Sequence, residues 1–272
     1  MVITFREKES KQDKRYDYDT SVLRLALEKT KDTHGDFKMV PSRAMNYSRA
    51  RVLLQQNSSP NFFAKLSYEK GFTRDMDLDF VPFPVDLGIV GYRTFFIRSE
   101  LKPRLARVKN LADLRQFTIG QGYGWTDVAI LRNAGFKVLT VPGYESLFDM
   151  VAVGRFDLLP RGANEILDEY KSHRHLPRFS YDTSLCLAYP LPRFFYTHSS
   201  NRRALKRVTL GLIRAYEDGS LKALWEKQYQ KSIDFVNLAQ RKIIFIPNPF
   251  VQDIDFDYKR YFYNPVPGAP IF

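Results

Sequence analysis

The chain has 272 residues, 44% of them apolar, and 42 basic against 30 acidic side chains for a net charge of +12. That length holds two domains of ordinary size, and that apolar fraction excludes a disordered chain. One cysteine, Cys186, excludes an intrachain disulfide and a cysteine-based metal site, and no stretch approaches the ~20 apolar residues of a membrane helix.

The first half alternates strand and helix. Val2–Phe5 reads as a strand and residues 7–15 as a polar loop. Val22, Leu23, Ala26 and Leu27 stand at helical spacing, which predicts a helix over 20–30 with Asp19 or Thr20 as its cap. Gly35 precedes a predicted strand at 37–40, a helix follows over 44–55, and a strand over 61–66. Pro82 and Pro84 forbid a central strand, so 79–84 reads as an extended edge or crossover. The apolar run 88–97 reads as a strand entering a second lobe.

The middle third carries the clearest βαβ pattern. Its strands are predicted at 116–120, 136–141 and 156–159, the last ended by Pro160. Its helices are predicted at 126–134 and 144–153, with Gly135 and Gly154 closing them. Strands alternating with ten-residue helices imply a parallel sheet. Residues 185–198 form an extended return path, and a helix starts at Asn201 and stops at Gly219. Another helix runs from Ser220 to Tyr229, a last strand covers 243–246, and a Pro- and Tyr-rich tail wraps the surface.

The positive charge favours anionic partners, but it is spread along the chain rather than gathered as nucleic-acid binding would require. Its densest groups are Lys102, Arg104, Arg107 and Lys109, and Arg202, Arg203, Lys206 and Arg207. Both read as solvated faces. Cys186 lies in an apolar run and reads as a small buried hydrophobe. No charged-then-apolar signal opens the chain, which fits a cytoplasmic protein or one whose signal was removed.

Two features suggest a site. Gly120, Gly122 and Gly124 form a glycine-rich turn between a strand and a helix, a geometry that offers backbone N–H groups to an anion. It is no dinucleotide motif, because Trp125 takes the place of the last glycine. Arg161 follows a strand end, where open parallel sheets bind ligands, and suits a forked contact to a carboxylate or phosphate. The plain alternative is a surface ion pair with Glu165 or Asp168. His173 and His175 lack a third ligand for a metal, and no hydrolase elbow or nucleophile–base pair occurs.

Taken in order, three stretches resemble the type II periplasmic solute-binding proteins, the family of amino-acid ABC-transporter substrate-binding proteins, in an uncharacterised branch. They are Thr73 through the 80–84 segment to Arg93, the 120–127 segment, and Gly154 through Asp157 to Glu165. The tail from Asn237 to Pro249 also fits. The resemblance implies an α/β two-lobed fold, with two mostly parallel sheets flanked by helices. Lobe 1 would hold 1–92 and 194–272, lobe 2 would hold 93–193, and extended hinge crossings near Tyr92 and Phe194 would join them. It implies hinge closure on a small ligand, with Arg74, six residues before Phe80, holding a carboxylate. The implied ligand-binding set is Arg74, Tyr92, Gly122, Trp125, Thr126, Asp127, Arg161 and Asn164. Family members usually place an acid for the ligand's ammonium where this chain has Arg161 and Gly162, so the expected ligand is acidic or otherwise carboxylate-bearing.

The expected role is therefore an extracytoplasmic, periplasmic receptor for transport or sensing, a monomer with its signal peptide removed. Its partner would be an inner-membrane permease or a sensor, with no cofactor, no metal and no catalysis. The alternative is a dehydratase or lyase on the same fold, with Glu165 or Glu9 as its acid.

Overall fold

The opening apolar run forms β1 (Val2–Phe5), with Ile3 fully buried. This computed structural model describes residues 1–10 and 13–266 and divides into two units. The first unit takes Met1–Leu87, Pro192–Gln228 and Phe250–Tyr261. The second takes Gly88–Leu191, Tyr229–Pro249 and the segment beginning at Phe262.

The first unit continues with α1 (Arg15–Glu28), α2 (Lys31–His34), β2 (Lys38–Pro41), α3 (Tyr47–Gln56), β3 (Phe62–Ser67), α4 (Lys70–Asp75) and β4 (Leu78–Phe80). α1 starts five residues before the expected Thr20, because Tyr16 and Tyr18 are buried and extend its apolar face. Asp19 and Thr20, expected as caps, therefore lie inside the helix.

The second unit begins with β5 (Tyr92–Arg98), α5 (Lys102–Leu105), α6 (Leu111–Leu114), β6 (Ile119–Gly122), α7 (Asp127–Asn133) and β7 (Val138–Val141). It goes on with α8 (Tyr144–Ala152), β8 (Leu159–Gly162), α9 (Ile166–His173), β9 (Phe179–Tyr181) and β10 (Leu185–Ala188). The chain then returns to the first unit with β11 (Arg193–His198) and α10 (Arg202–Glu217). The boundary at residues 228 and 229 falls within α11 (Ser220–Val236), and β12 (Lys242–Phe245) follows.

In the first unit one sheet runs β2-β1-β3-β11-β4. β1 is parallel to β2 and β3, and β11 is antiparallel to β3 and β4. β3 is central and every residue of it is buried, as expected of a strand covered on both faces. α10 packs on α1 at Gly211, where a Cβ would stand 2.0 Å from the Ala26 carbonyl oxygen. Arg207, read from sequence as part of a solvated face, is instead fully buried. Its guanidinium donates to Thr30 Oγ1 and to the carbonyls of Leu27 and Gly35, so it ties α10 to the end of α1 and its following turn.

In the second unit β12, β10, β5 and β8 form one sheet, β9 joins β5, and β6 pairs with β7. The pairing departs from the expected mostly parallel sheet. β5 runs antiparallel to β8, β9 and β10, while the β6–β7 and β10–β12 pairs are parallel. Residues 242–245, expected in lobe 1, lie in the second unit because β12 pairs with β10. Tyr92 and Phe194, expected in hinge crossings, are ladder residues paired with Ala188 and Leu66. The apolar core runs through Phe95, Ile97, Leu114, Ile119, Ile130, Leu131, Leu158 and Leu187. Cys186 is buried, as its apolar run implied, and burial pushes its thiol up to about 12. No described helix is long and apolar enough to cross a membrane.

Candidate functional site

Arg161 lies inside β8, paired with Thr94 of β5, and not beyond the strand's end. Pro160 does not end the strand but sits within it, opposite Phe95. Arg161 is 1% exposed, and its partners are acids of the same unit. Its Nε donates to both carboxylate oxygens of Glu169 at 3.0 and 2.9 Å, and Nη2 donates to Glu169 Oε1 at 2.6 Å. Nη2 also lies 3.0 Å from Glu165 Oε2. Burial works against the charge, but the two glutamates outweigh it and hold the guanidinium's pKa above its ordinary value. Tyr144 donates to Glu169 at 2.7 Å. The surface ion pair weighed from sequence is thus a buried one, with Glu169 in place of Asp168.

A second buried pair adjoins it. Asp127, the first residue of α7, accepts from Arg93 Nη2 at 2.5 Å and from Tyr189 Oη at 2.6 Å. Arg93 also lies 3.6 Å from Glu165. Three acids and two arginines are therefore buried together, so the cluster carries its own counterions. Trp125 faces Arg161, whose guanidinium carbon is 4.9 Å from the ring centroid. A Cβ on Gly122 would meet the Trp125 ring at 2.2 Å, so the glycine lets the indole lie on the strand end. Here the glycine-rich turn seats a tryptophan.

The first unit holds a cavity of about 370 Å³. Phe5, Arg6, Glu7 and Lys8 line it from the carboxyl end of β1 onward, and Tyr16, Asp17, Thr20 and Ser21 line it from α1. The volume is that of a small-molecule pocket, and the carboxyl ends of parallel strands are where open sheets bind ligands. Its loop is held by ion pairs. Arg6 Nη2 donates to Glu9 at 3.1 Å and to the Met45 carbonyl at 3.0 Å. Arg15 donates to Asp13 at 2.8 and 2.9 Å and to Glu9 at 3.2 Å. Burial works against the Asp13 carboxylate, but Arg15 outweighs it and lowers its pKa. The Arg6 guanidinium stacks on Tyr16 at 4.2 Å, and its buried Nε–H meets no acceptor. Lys8 and Asp17 form a 2.5 Å pair at the more exposed side.

No family model matches the sequence, and no curated protein sequence matches it. Solved structures do match in fold. The GluR0 ligand-binding core in complex with L-glutamate gives a TM-score of 0.61 at 10% identity, covering 84% of this chain and 98% of that one. A putative binding component of an ABC transporter from Wolinella succinogenes, complexed with lysine, gives 0.59 at 16% identity, covering 84% and 95%. A histidine kinase sensor domain with similarity to periplasmic binding proteins gives 0.59 at 14% identity, covering 84% and 95%. The chain has the periplasmic-binding-protein fold. As at this fold's level of likeness generally, what is shared is architecture.

Within the periplasmic-binding-protein fold, the expected ligand set is divided between the units. Arg74 lies in the last turn of α4 in the first unit, with its side chain 75% exposed and 3.6 Å from Asp75. The other seven residues are in the second unit, where the structure brings Trp125, Asp127 and Arg161 into one buried cluster with Glu165 and Glu169. Thr126 is buried at the start of α7 without a side-chain cap bond. Tyr92 is buried at the start of β5, and burial raises its hydroxyl to about 12. Asn164 is buried, and its Oδ1 meets no donor. The cavity residues were missed from sequence because residues 7–15 read as a polar loop. The rule applied to Arg161, that ligands sit where a strand ends, would have found them at the end of β1.

Proposed function

We propose that the chain is a solute-binding protein that captures a small polar, carboxylate-bearing solute for transport or sensing and does no chemistry on it. The observation that carries this reading is the cavity at the end of β1, lined by Arg6 and Lys8. Two cationic side chains in the lining of a small cavity suit a solute carboxylate, which each could meet with a charge-assisted bond. The preference for an acidic or carboxylate solute, first motivated by Arg161, rests on Arg6 and Lys8, which are also paired, with Glu9 and Asp17, but line a cavity, whereas the Arg161–Glu169 pair is buried. Arg74 remains a second proposed carboxylate contact, since its side chain is largely exposed.

The lyase reading is disfavoured by where its acids lie. Glu165 is held by Arg161, by Arg93 and by the Gly162 N–H, and Glu9 by Arg6 and Arg15. Both carboxylates are thus taken up by arginines, and neither lines the cavity. A periplasmic location, a monomeric state and a permease or sensor partner complete the proposal.

A thermal-shift screen with amino acids and small di- and tricarboxylates tests it. At least one carboxylate should raise the melting temperature of the wild type, and Thr20→Trp, which fills the cavity, should abolish that shift. A shift that survives Thr20→Trp would place the solute elsewhere.

A further inference from the structure

Behind the cavity wall, on the same helix as Tyr16, Asp17, Thr20 and Ser21, lies a second buried cluster. Asp19 of α1 lies 2.5 Å from Lys65 Nζ of β3, and Asp86 Oδ1 lies 2.6 Å from the same nitrogen. The side chains of Asp19, Lys65 and Asp86 are 9%, 5% and 1% exposed. Two carboxylates thus share one ammonium out of water. Arg193 of β11 faces Asp86 at 3.8 Å from a more exposed position. Tyr18 of α1 lies beneath the Lys65 ammonium at 5.6 Å and donates to the Val85 carbonyl.

We propose that Asp19, Lys65 and Asp86 form a proton-operated latch on the cavity helix. Uptake of one proton leaves the Lys65 ammonium to Asp86 and locks α1, and loss of the proton frees its first turns. The proton goes to Asp19, the less enclosed of the two acids and the one on the cavity helix. Burial is the leading cause that raises the Asp19 carboxyl from its ordinary 3.8 to about 6, against the pull of Lys65 and with the push of Asp86. The direction of the effect follows from linkage. A carboxyl whose pKa is higher when packed than when hydrated holds its helix most firmly below 3.8, and that hold is lost as pH rises through about 6. Because α1 walls the cavity, the latch would favour solute retention in mildly acidic surroundings and release towards neutral pH. This last step rests on the cavity being the solute site.

The test uses the full chain without solute. Hydrogen exchange of the amides in the first two turns of α1, corrected for intrinsic rates, should show protection about tenfold higher near pH 5 than near pH 7.5. Asp19→Asn should remove that dependence. Equal protection at both pH values, or the same change in Asp19→Asn, would overturn the latch. If Asp19→Asn does not fold, carbon-13 titration of the wild-type Asp19 carboxyl decides. A midpoint near 6 supports the latch, and one near or below 4 overturns it. Solute plays no part in either measurement, so failure of the thermal-shift screen would remove the cavity reading and leave the latch standing.

Discussion

Arg161 shows how a single side chain changes meaning with its surroundings. At a strand end with no partner it would be a ligand clamp. Inside β8, gripped along its Nε–Nη2 edge by Glu169 and flanked by Glu165, it is one half of a buried ion pair. Such a pair adds little net stability when intact, but breaking it leaves a naked buried charge. Glu169→Ala should therefore cost about 3–5 kcal/mol of unfolding free energy, read by urea denaturation, while Arg161→Met paired with Glu169→Leu should cost much less. Glu165 was legible as a partner because it stands one helical turn from Arg161. Glu169 was not, because it depends on α9, a helix of only eight residues, too short to repeat its apolar spacing.

At the level of elements, periodicity was a reliable guide where a helix is long and one-faced. α8 buries Leu147, Phe148 and Val151, and α10 buries Val208 and Leu212, where their spacing puts them, although Leu205 and Tyr216 of the same register are half-buried and exposed. The four-residue α2, α5 and α6 are held by tertiary contacts, and their sequences carry too few turns to show a period. Strand direction was less legible. Local alternation of β and α implied parallel pairing, whereas β5 pairs with three strands far along the chain in the opposite sense. The contact of α1 with α10 depends on Gly211, where a methyl group would strike the Ala26 backbone. Gly211→Ala should cost about 1–3 kcal/mol by forcing the two helices apart, read as a lowered urea midpoint at unchanged slope.

For the molecule as a whole, the two-unit α/β architecture was readable from the alternation of elements and from a resemblance carried by three separated stretches. The way the chain is shared out was not. β12 and its preceding residues joined the second unit through pairing with β10, a contact no local pattern announces. Of the candidate site, the sequence pointed to Asp127 and Arg161, whose charges are met by Arg93, Glu165 and Glu169, while the cavity of the first unit lies in a segment that reads as plain loop. The central claim is that this fold holds a carboxylate solute and returns it unaltered. Equilibrium dialysis against the best solute from the thermal screen, followed by chromatography of the recovered material, addresses it most directly. The account expects saturation at about one solute per chain and recovery of the solute chemically unchanged. Failure to saturate, or recovery of a converted product, would contradict it.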